Sequence, residues 1–276
     1  MHIADFERCF DAGINAMTRL SMVEARRYYD RLCASFAAPL SPQLTLTDDT
    51  LVSGTGPALA LRRFRPDNPR PGKVLYLHGG GFSLGSLDSH QGVAAGLAEA
   101  LNREVVSLGY RLSPAATYAD AIDDARRGIA ALSPVAVVGD SAGGRLAIDA
   151  IEDAPGPVLG LIYPLVGRPE LATLGPDAPL LSRADILVAW NAIAAHAPAG
   201  NGLEPPAASI EVLAVERDPL TAPLDAAVTA WKAAGADVGY HLAADMLHGS
   251  LHARESLPQM RKAWHNFCAG LRQRLD

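Results

Sequence analysis

Short apolar runs alternate with segments of helical periodicity along most of this 276-residue chain. Parallel strands need a long crossover connection, which is usually a helix, so this alternation predicts an α/β fold. We expect a mostly parallel, eight-stranded sheet flanked by helices on both faces. The predicted strands are a hairpin at about 43–52 and 58–64, followed by strands near 73–78, 103–108, 135–139, 157–163, 209–215 and 237–242.

One predicted strand-to-helix junction has the small residues of a nucleophile elbow. The apolar run 135–138 leads into Gly139-Asp140-Ser141-Ala142-Gly143-Gly144, and the helix-forming run 145–151 follows. In this context the pattern G-x-S-x-G lifts a serine hydroxyl to the sheet edge, and glycines leave room for neighbouring backbone. Taken alone the pattern is weak, and a turn rich in small residues is the alternative interpretation. Ser141 is the candidate nucleophile.

A second glycine motif lies upstream, where an oxyanion loop is expected. His78-Gly79-Gly80-Gly81 follows the apolar run 74–77. Backbone N–H groups that already point at a developing negative charge stabilise a tetrahedral intermediate. The candidate donors are the N–H groups of Gly80 and Gly81 and that of Ala142, the residue after the nucleophile. We expect His78 to be structural.

A serine nucleophile needs a general base, and the base needs a carboxylate to orient it. Asp218 follows the apolar run 212–215, and His248 follows the last predicted strand. Loops at the carboxyl ends of parallel strands meet at one sheet edge, so Ser141, Asp218 and His248 are expected to converge there.

Several other residues compete for these roles. Glu216 and Asp245 are alternatives to Asp218 as the acid. His252, expected to begin the last helix, is the nearest alternative to His248 as the base. Asp140 adjoins the nucleophile and is expected to make a structural hydrogen bond instead.

Taken together, the motifs resemble the hormone-sensitive-lipase-like branch of the α/β-hydrolases, the bacterial family IV esterases. The resemblance implies an α/β-hydrolase fold and a serine carboxylesterase without a cofactor. It implies Ser141 as nucleophile, His248 as base and Asp218 as acid, with the N–H groups of Gly80, Gly81 and Ala142 as oxyanion hole. The motifs that carry it are 78–82 with Gly85-Ser86, Tyr110-Arg111-Leu112-Ser113-Pro114, 139–144, Tyr163-Pro164, Asp218-Pro219-Leu220 and His248-Gly249.

The sequence also departs from the family pattern. Asp218 follows Ser141 by only 77 residues, less than such esterases usually show, which indicates a trimmed cap or crossover. Ser250 stands where an aromatic residue often follows the His-Gly pair, and Thr117 and Tyr118 replace a proline-rich stretch. These departures concern substrate preference rather than the chemistry.

Two segments outside the strand-helix alternation are predicted to form a small cap over a single domain that spans the chain. They are residues 1 to about 40 and about 168–207. A small cap favours small acyl groups, so short-chain esters are the expected substrates. Amidase, lactonase or acyltransferase chemistry on the same acyl-enzyme stays open, as does a non-catalytic protein that binds small molecules.

Composition excludes several other classes of function. The net charge of −6 and dispersed basic residues disfavour nucleic acid, and the glycine motif lacks the lysine of a phosphate loop. No helix carries paired histidines at metal-ligand spacing, so neither a metal nor another cofactor is expected.

The remaining sequence features concern location and assembly. No apolar run is long enough for a membrane span, and the N-terminus lacks a secretory pattern. Three unclustered cysteines argue against a disulfide framework. We therefore expect a soluble, cytoplasmic protein, with an isologous homodimer as the default assembly.

Overall fold

In the computed structural model, residues 1–53, 56–151, 156–198 and 200–276 are described. Within these residues eight strands form one sheet. The strands are β1 (Leu44–Leu51), β2 (Leu59–Pro66), β3 (Arg70–Leu77), β4 (Arg103–Gly109), β5 (Ala136–Asp140), β6 (Val158–Ile162), β7 (Ser209–Arg217) and β8 (Asp237–Leu247). Their order in the sheet is β1-β2-β4-β3-β5-β6-β7-β8. The first pair is an antiparallel hairpin, β2 is also antiparallel to β4, and the other neighbours are parallel.

Helices cover both faces of this sheet. Strand β3 shows why, since Val74 and Tyr76 join one buried cluster while Leu75 and Leu77 join the other. Successive strand residues point to opposite faces, and a parallel strand is buried on both. The helices are α1 (Ile3–Met17), α2 (Met22–Ala34), α3 (Gln91–Leu101), α4 (Tyr118–Leu132), α5 (Ala142–Ala150), α6 (Arg183–Asn191), α7 (Thr221–Ala233) and α8 (Pro258–Leu275). One buried cluster contains residues of α1, α2, α3 and α8, and the other contains residues of α4, α5, α6 and α7.

Capping residues determine where helices α2 and α4 begin. Ser21 and Glu24 form a reciprocal capping box at the start of α2, and Thr117 and Asp120 do the same for α4. Such a box satisfies N–H groups that the first helical turn leaves free. Thr117, which departs from the family pattern, therefore has a structural use as the N-cap of α4.

The predicted α/β architecture, with a mostly parallel eight-stranded sheet, is confirmed. Two boundaries differ from expectation. Strand β8 extends to Leu247 rather than 242, and the last helix begins at Pro258 rather than at His252. Helix α5 ends at Ala150, while the end by about Asp153 that Pro155-Gly156-Pro157 predicts lies outside the described residues. In the described ranges, no helix is both long and apolar enough to cross a bilayer.

Candidate active site

Ser141 lies directly between β5 and α5, on a backbone turn with φ 50° and ψ −119°. A positive φ is unusual for a residue with a side chain and indicates local strain. The glycines on either side are sterically required. A Cβ on Gly139 would lie 2.3 Å from the carbonyl oxygen of Gly143, and a Cβ on Gly143 would lie 2.1 Å from that of Leu77. The strand, the tight turn and the close packing of α5 together hold the Ser141 hydroxyl at the sheet edge.

The structure brings Ser141, His248 and Asp218 together. Ser141 Oγ lies 2.8 Å from His248 Nε2, and His248 Nδ1 lies 2.6 Å from Asp218 Oδ2. This arrangement fits the tautomer in which Nδ1–H donates to the carboxylate and Nε2 accepts from the serine hydroxyl. Asp218 is buried, and its second oxygen accepts a hydrogen bond of 2.8 Å from the Leu220 N–H. The carboxylate is thereby held in one orientation behind the imidazole.

The alternative acids occupy different positions. Glu216 accepts a hydrogen bond of 2.8 Å from the backbone N–H of Asp245. This bond joins the end of β7 to a residue near the end of β8 whose φ is 59°. The register of the two strands is irregular at the same place. Glu216 therefore braces the irregular strand that leads to His248, while Asp218 contacts the imidazole.

The alternative base, His252, lies in a 3₁₀ helix (Ser250–Ala253) and is buried. Its Nε2 is 3.4 Å from Cys33 Sγ on α2. Burial, followed by the neighbouring His90, lowers the pKa of His252 to about 3. Burial likewise lowers the pKa of His78 to about 3. Both rings are neutral packing groups at ordinary pH, and His248 is the histidine that contacts Ser141.

Asp140 links the elbow to the glycine loop. Its carboxylate accepts hydrogen bonds from the Tyr76 hydroxyl and, at 2.9 Å, from the Gly79 N–H, and His90 Nε2 lies 3.3 Å away. Burial alone raises the pKa of this carboxyl, but the charge and hydrogen bonding of His90 and the Tyr76 hydrogen bond hold the pKa below its usual value. Asp140 thus makes the structural contacts expected of it.

The three residues that carry the candidate oxyanion donors line the same cavity as Ser141 and His248. They are Gly80, Gly81 and Ala142. Gly80 and Gly81 have φ values of 121° and 59°, and the Leu84 N–H closes the loop by donating to the Gly80 carbonyl at 2.8 Å. Glycine adopts such positive φ values readily, which lets this tight turn form at the cavity wall.

The cavity has a volume of about 470 Å³ and a largely apolar wall. Both segments that were predicted to form a cap contribute to it. The sequence suggests Phe82, Leu84, Tyr110, Trp190 and Leu247 as pocket candidates, and of these Phe82 and Leu84 line the cavity. Tyr110 instead donates a hydrogen bond to the His78 carbonyl, and Trp190 packs against the Arg145 guanidinium. The wall residues from the two segments are Phe10, Ile14, Tyr29, Leu180, Leu181, Asp185, Ile186, Val188, Ala189 and Ala192.

Sequence reasoning did not single out Phe10, Ile14 or Tyr29. Their only sequence signal is the helical periodicity of α1 and α2, which is equally typical of helices that merely pack on a core.

A cleft of about 610 Å³ between α3 and α8 is larger than the cavity beside Ser141, but none of Ser141, Asp218 and His248 lies in its wall. Among the described residues, no group of three or more His, Cys, Asp or Glu side chains is placed to hold a metal ion.

The chain is similar to known proteins in both sequence and structure. A family model described as the α/β hydrolase fold matches residues 74–252. The ethyl acetate hydrolase of Pseudomonas putida is 35% identical over 52% of this chain and 52% of its own length. The carboxylesterase NlhH of Mycobacterium tuberculosis is 30% identical over 73% of each chain.

A solved structure described as an esterase from the bacterial hormone-sensitive lipase family aligns over 100% of both chains, with a TM-score of 0.81 and 22% identity. At that identity the likeness shows the fold alone. The chain spans about half the length of the ethyl acetate hydrolase that it matches. The family model covers well over half of this chain and confirms the resemblance seen in the motifs. The chain therefore belongs to the α/β hydrolase fold family.

Proposed function

We propose that this protein is a serine carboxylesterase that hydrolyses short-chain acyl esters. The observation that carries the proposal is the continuous contact from Ser141 through His248 to Asp218 at the cavity wall. This geometry supplies the groups that acyl transfer requires: a nucleophile within hydrogen-bonding reach of a base, and a buried carboxylate behind the base.

In the proposed reaction, Ser141 Oγ attacks the ester carbonyl carbon while His248 Nε2 takes the hydroxyl proton. Asp218 stabilises the imidazolium that forms, and the N–H groups of Gly80, Gly81 and Ala142 donate to the carbonyl oxygen as it becomes negative. The C–O bond to the alcohol then breaks, and His248 returns the proton to the leaving alkoxide. Water, deprotonated by His248, attacks the acyl-enzyme carbonyl; the C–O bond to Ser141 Oγ then breaks, His248 returns the proton to Oγ, and the acid is released. None of these steps requires a cofactor.

The proposed substrate class rests on the cavity. Its apolar wall suits a hydrocarbon acyl or alkyl group, and its volume of about 470 Å³ limits the length of that group. The names of the relatives, an ethyl acetate hydrolase and a carboxylesterase, are consistent with a small ester. We further propose that α1, α2 and the segment containing α6 form the cap on a single domain. Cytoplasmic location and a homodimer stay predictions from the sequence.

The test is hydrolysis of chromogenic acyl esters from C2 to C12 by the wild type and by Ser141→Ala. We expect turnover to peak at the short chains and to vanish in Ser141→Ala. Faster turnover of long chains would contradict the proposed substrate class. Failure of the wild type to hydrolyse any ester would contradict the proposed activity, and hydrolysis of amides or lactones would then identify a related acyl hydrolase.

A further inference from the structure

Arg26 of α2 makes two hydrogen bonds to loops that are distant in sequence. Its Nε donates to the carbonyl oxygen of Ser83, and its Nη2 donates to the carbonyl oxygen of Ser113, each at 2.9 Å. A planar guanidinium is suited to this bridge because its donors have a fixed relative geometry. Ser83 belongs to residues 80–86, which we call the oxyanion loop. Arg26 therefore ties the N-terminal helical segment directly to the loop that carries two of the proposed oxyanion donors.

A second contact joins the same helix to the far end of this loop. The Ser86 hydroxyl donates to the Asp30 carboxylate at 2.6 Å. Asp30 lies four residues after Arg26, so both side chains project from the same side of α2. Tyr29, between them in sequence, is part of the cavity wall. Helix α2 thus contacts the oxyanion loop at two points and the cavity at a third.

The bridged loops are also bonded to each other at the residues next to the donors. The Ser113 N–H donates to the Phe82 carbonyl at 3.0 Å, and within the oxyanion loop the Ser83 N–H donates to the Gly80 carbonyl at 3.2 Å. Phe82 itself has φ 64°, an unfavourable value for a residue with a Cβ. A strained turn keeps its conformation only when its surroundings determine it. Arg26 is bonded to the carbonyl of Ser83, the residue after Phe82, and to the carbonyl of Ser113, whose N–H is itself bonded to Phe82.

We infer that Arg26 is a positioning residue, which holds the oxyanion loop in its productive conformation by bridging the carbonyls of Ser83 and Ser113. This inference rests on the proposed esterase function. It also assigns a structural role to the motif segments Gly85-Ser86 and Ser113-Pro114, which contact α2 but take no part in the proposed reaction. Arg26 lies outside every motif in the sequence, and only the packing of α2 places it here.

The test compares Arg26→Met with Arg27→Met. The two substitutions remove the same charge from the same helix, but the side chain of Arg27 is exposed. We expect kcat of Arg26→Met to fall about 10- to 100-fold with little change in KM, since a displacement of about 1 Å can cost about 10² in rate. Affinity for an alkyl boronic acid, whose tetrahedral adduct resembles the transition state, should fall by the same factor as kcat/KM. Arg27→Met should match the wild type.

Thermal unfolding of each variant shows whether the assay temperature lies well below its midpoint. If Arg26→Met does not fold, Arg26→Lys against Arg27→Lys makes the same comparison, because an ammonium group cannot bridge both carbonyls in the same way. Equal kcat and equal boronic acid affinity in the paired variants would overturn the inference while leaving the esterase proposal intact. An inactive wild type, assayed beside Ser141→Ala, would overturn both.

Discussion

The ring of Tyr163 lies against the imidazole of His248, with 4.5 Å between ring centroids and an angle of 49° between the planes. Tyr163 follows β6 immediately and has a positive φ of 36°. Its backbone N–H donates to the Leu213 carbonyl at 2.7 Å, which fixes the turn against β7. The side chain is buried and forms a wall for the histidine that contacts Ser141.

Substitution of Tyr163 should separate the effect of its ring from that of its hydroxyl. The buried hydroxyl makes no well-aligned hydrogen bond among the described atoms, and the backbone of Leu251 is the polar group beside it. Tyr163→Phe should therefore leave kcat unchanged and leave the free energy of unfolding equal or higher, because an unsatisfied buried polar group is removed. Tyr163→Leu removes the ring wall, and we expect kcat to fall about tenfold as the imidazole loses its orientation. Ester kinetics and urea unfolding check this, and an equal loss in both variants would assign the role to the hydroxyl.

Asp218→Asn should be far more damaging than Glu216→Gln. The amide removes the negative charge that stabilises the imidazolium and favours the wrong tautomer, an exchange that costs about 10⁴ in kcat in a serine protease triad. We expect a loss of about 10³–10⁴ here. Glu216→Gln keeps an oxygen that can accept from the Asp245 N–H, so its kcat should stay close to that of the wild type. Steady-state kinetics of the two variants decide which acid serves His248, and the reverse ranking would assign the role to Glu216.

Alanine at Gly80 and at Gly81 should have unequal effects. A Cβ on Gly80, at φ 121°, would lie 2.4 Å from the Leu84 carbonyl oxygen, so the loop must move. A Cβ on Gly81 meets no atom within 4 Å and costs only the strain of φ 59°, about 1–2 kcal/mol. We expect Gly80→Ala to lose at least the ~10²-fold in kcat typical of a lost oxyanion donor, and Gly81→Ala to lose much less. Similar kcat in both variants would show that the steric contact does not determine loop geometry.

Burial of His252 should make stability depend on pH. Its folded-state pKa of about 3 lies below the unfolded value of about 6.5, so the unfolded chain binds the extra proton between these values. The contribution of neutral His252 to the free energy of unfolding is therefore complete above pH 6.5 and is lost as the pH falls toward 3. In His252→Gln the unfolded chain no longer binds this extra proton. The slope of the free energy of unfolding against pH should therefore fall by up to about 1.4 kcal/mol per pH unit.

Urea unfolding between pH 4 and 7 measures this slope. His2→Asn is the control, since His2 is exposed at the start of α1. His78 is buried with the same direction of pKa change, so some slope should remain in His252→Gln. Identical slopes in the wild type and His252→Gln would show that His252 does not carry the linkage.

Local sequence patterns were sufficient for most of the architecture. The apolar runs predicted the eight strands to within a few residues, except that β8 extends to Leu247. Its last residues follow the register irregularity beside Val215 and the bond from Asp245 to Glu216, which are contacts between two strands and leave no periodic signal in either one. Similarly, Pro258, rather than His252, begins the last helix, because proline suits the first helical turn.

What the sequence determined by itself is local: the strand-turn-helix around Ser141, the glycine turn at Gly80 and Gly81, and the order of nucleophile, acid and base along the chain. These follow from steric demands of neighbouring residues, which a pattern can express. Only the tertiary structure decided that Arg26 reaches Ser83 and Ser113, and that α1 and α2 supply part of the cavity wall. Those contacts join residues far apart in sequence, and they depend on how one helix packs against the completed sheet rather than on any local preference.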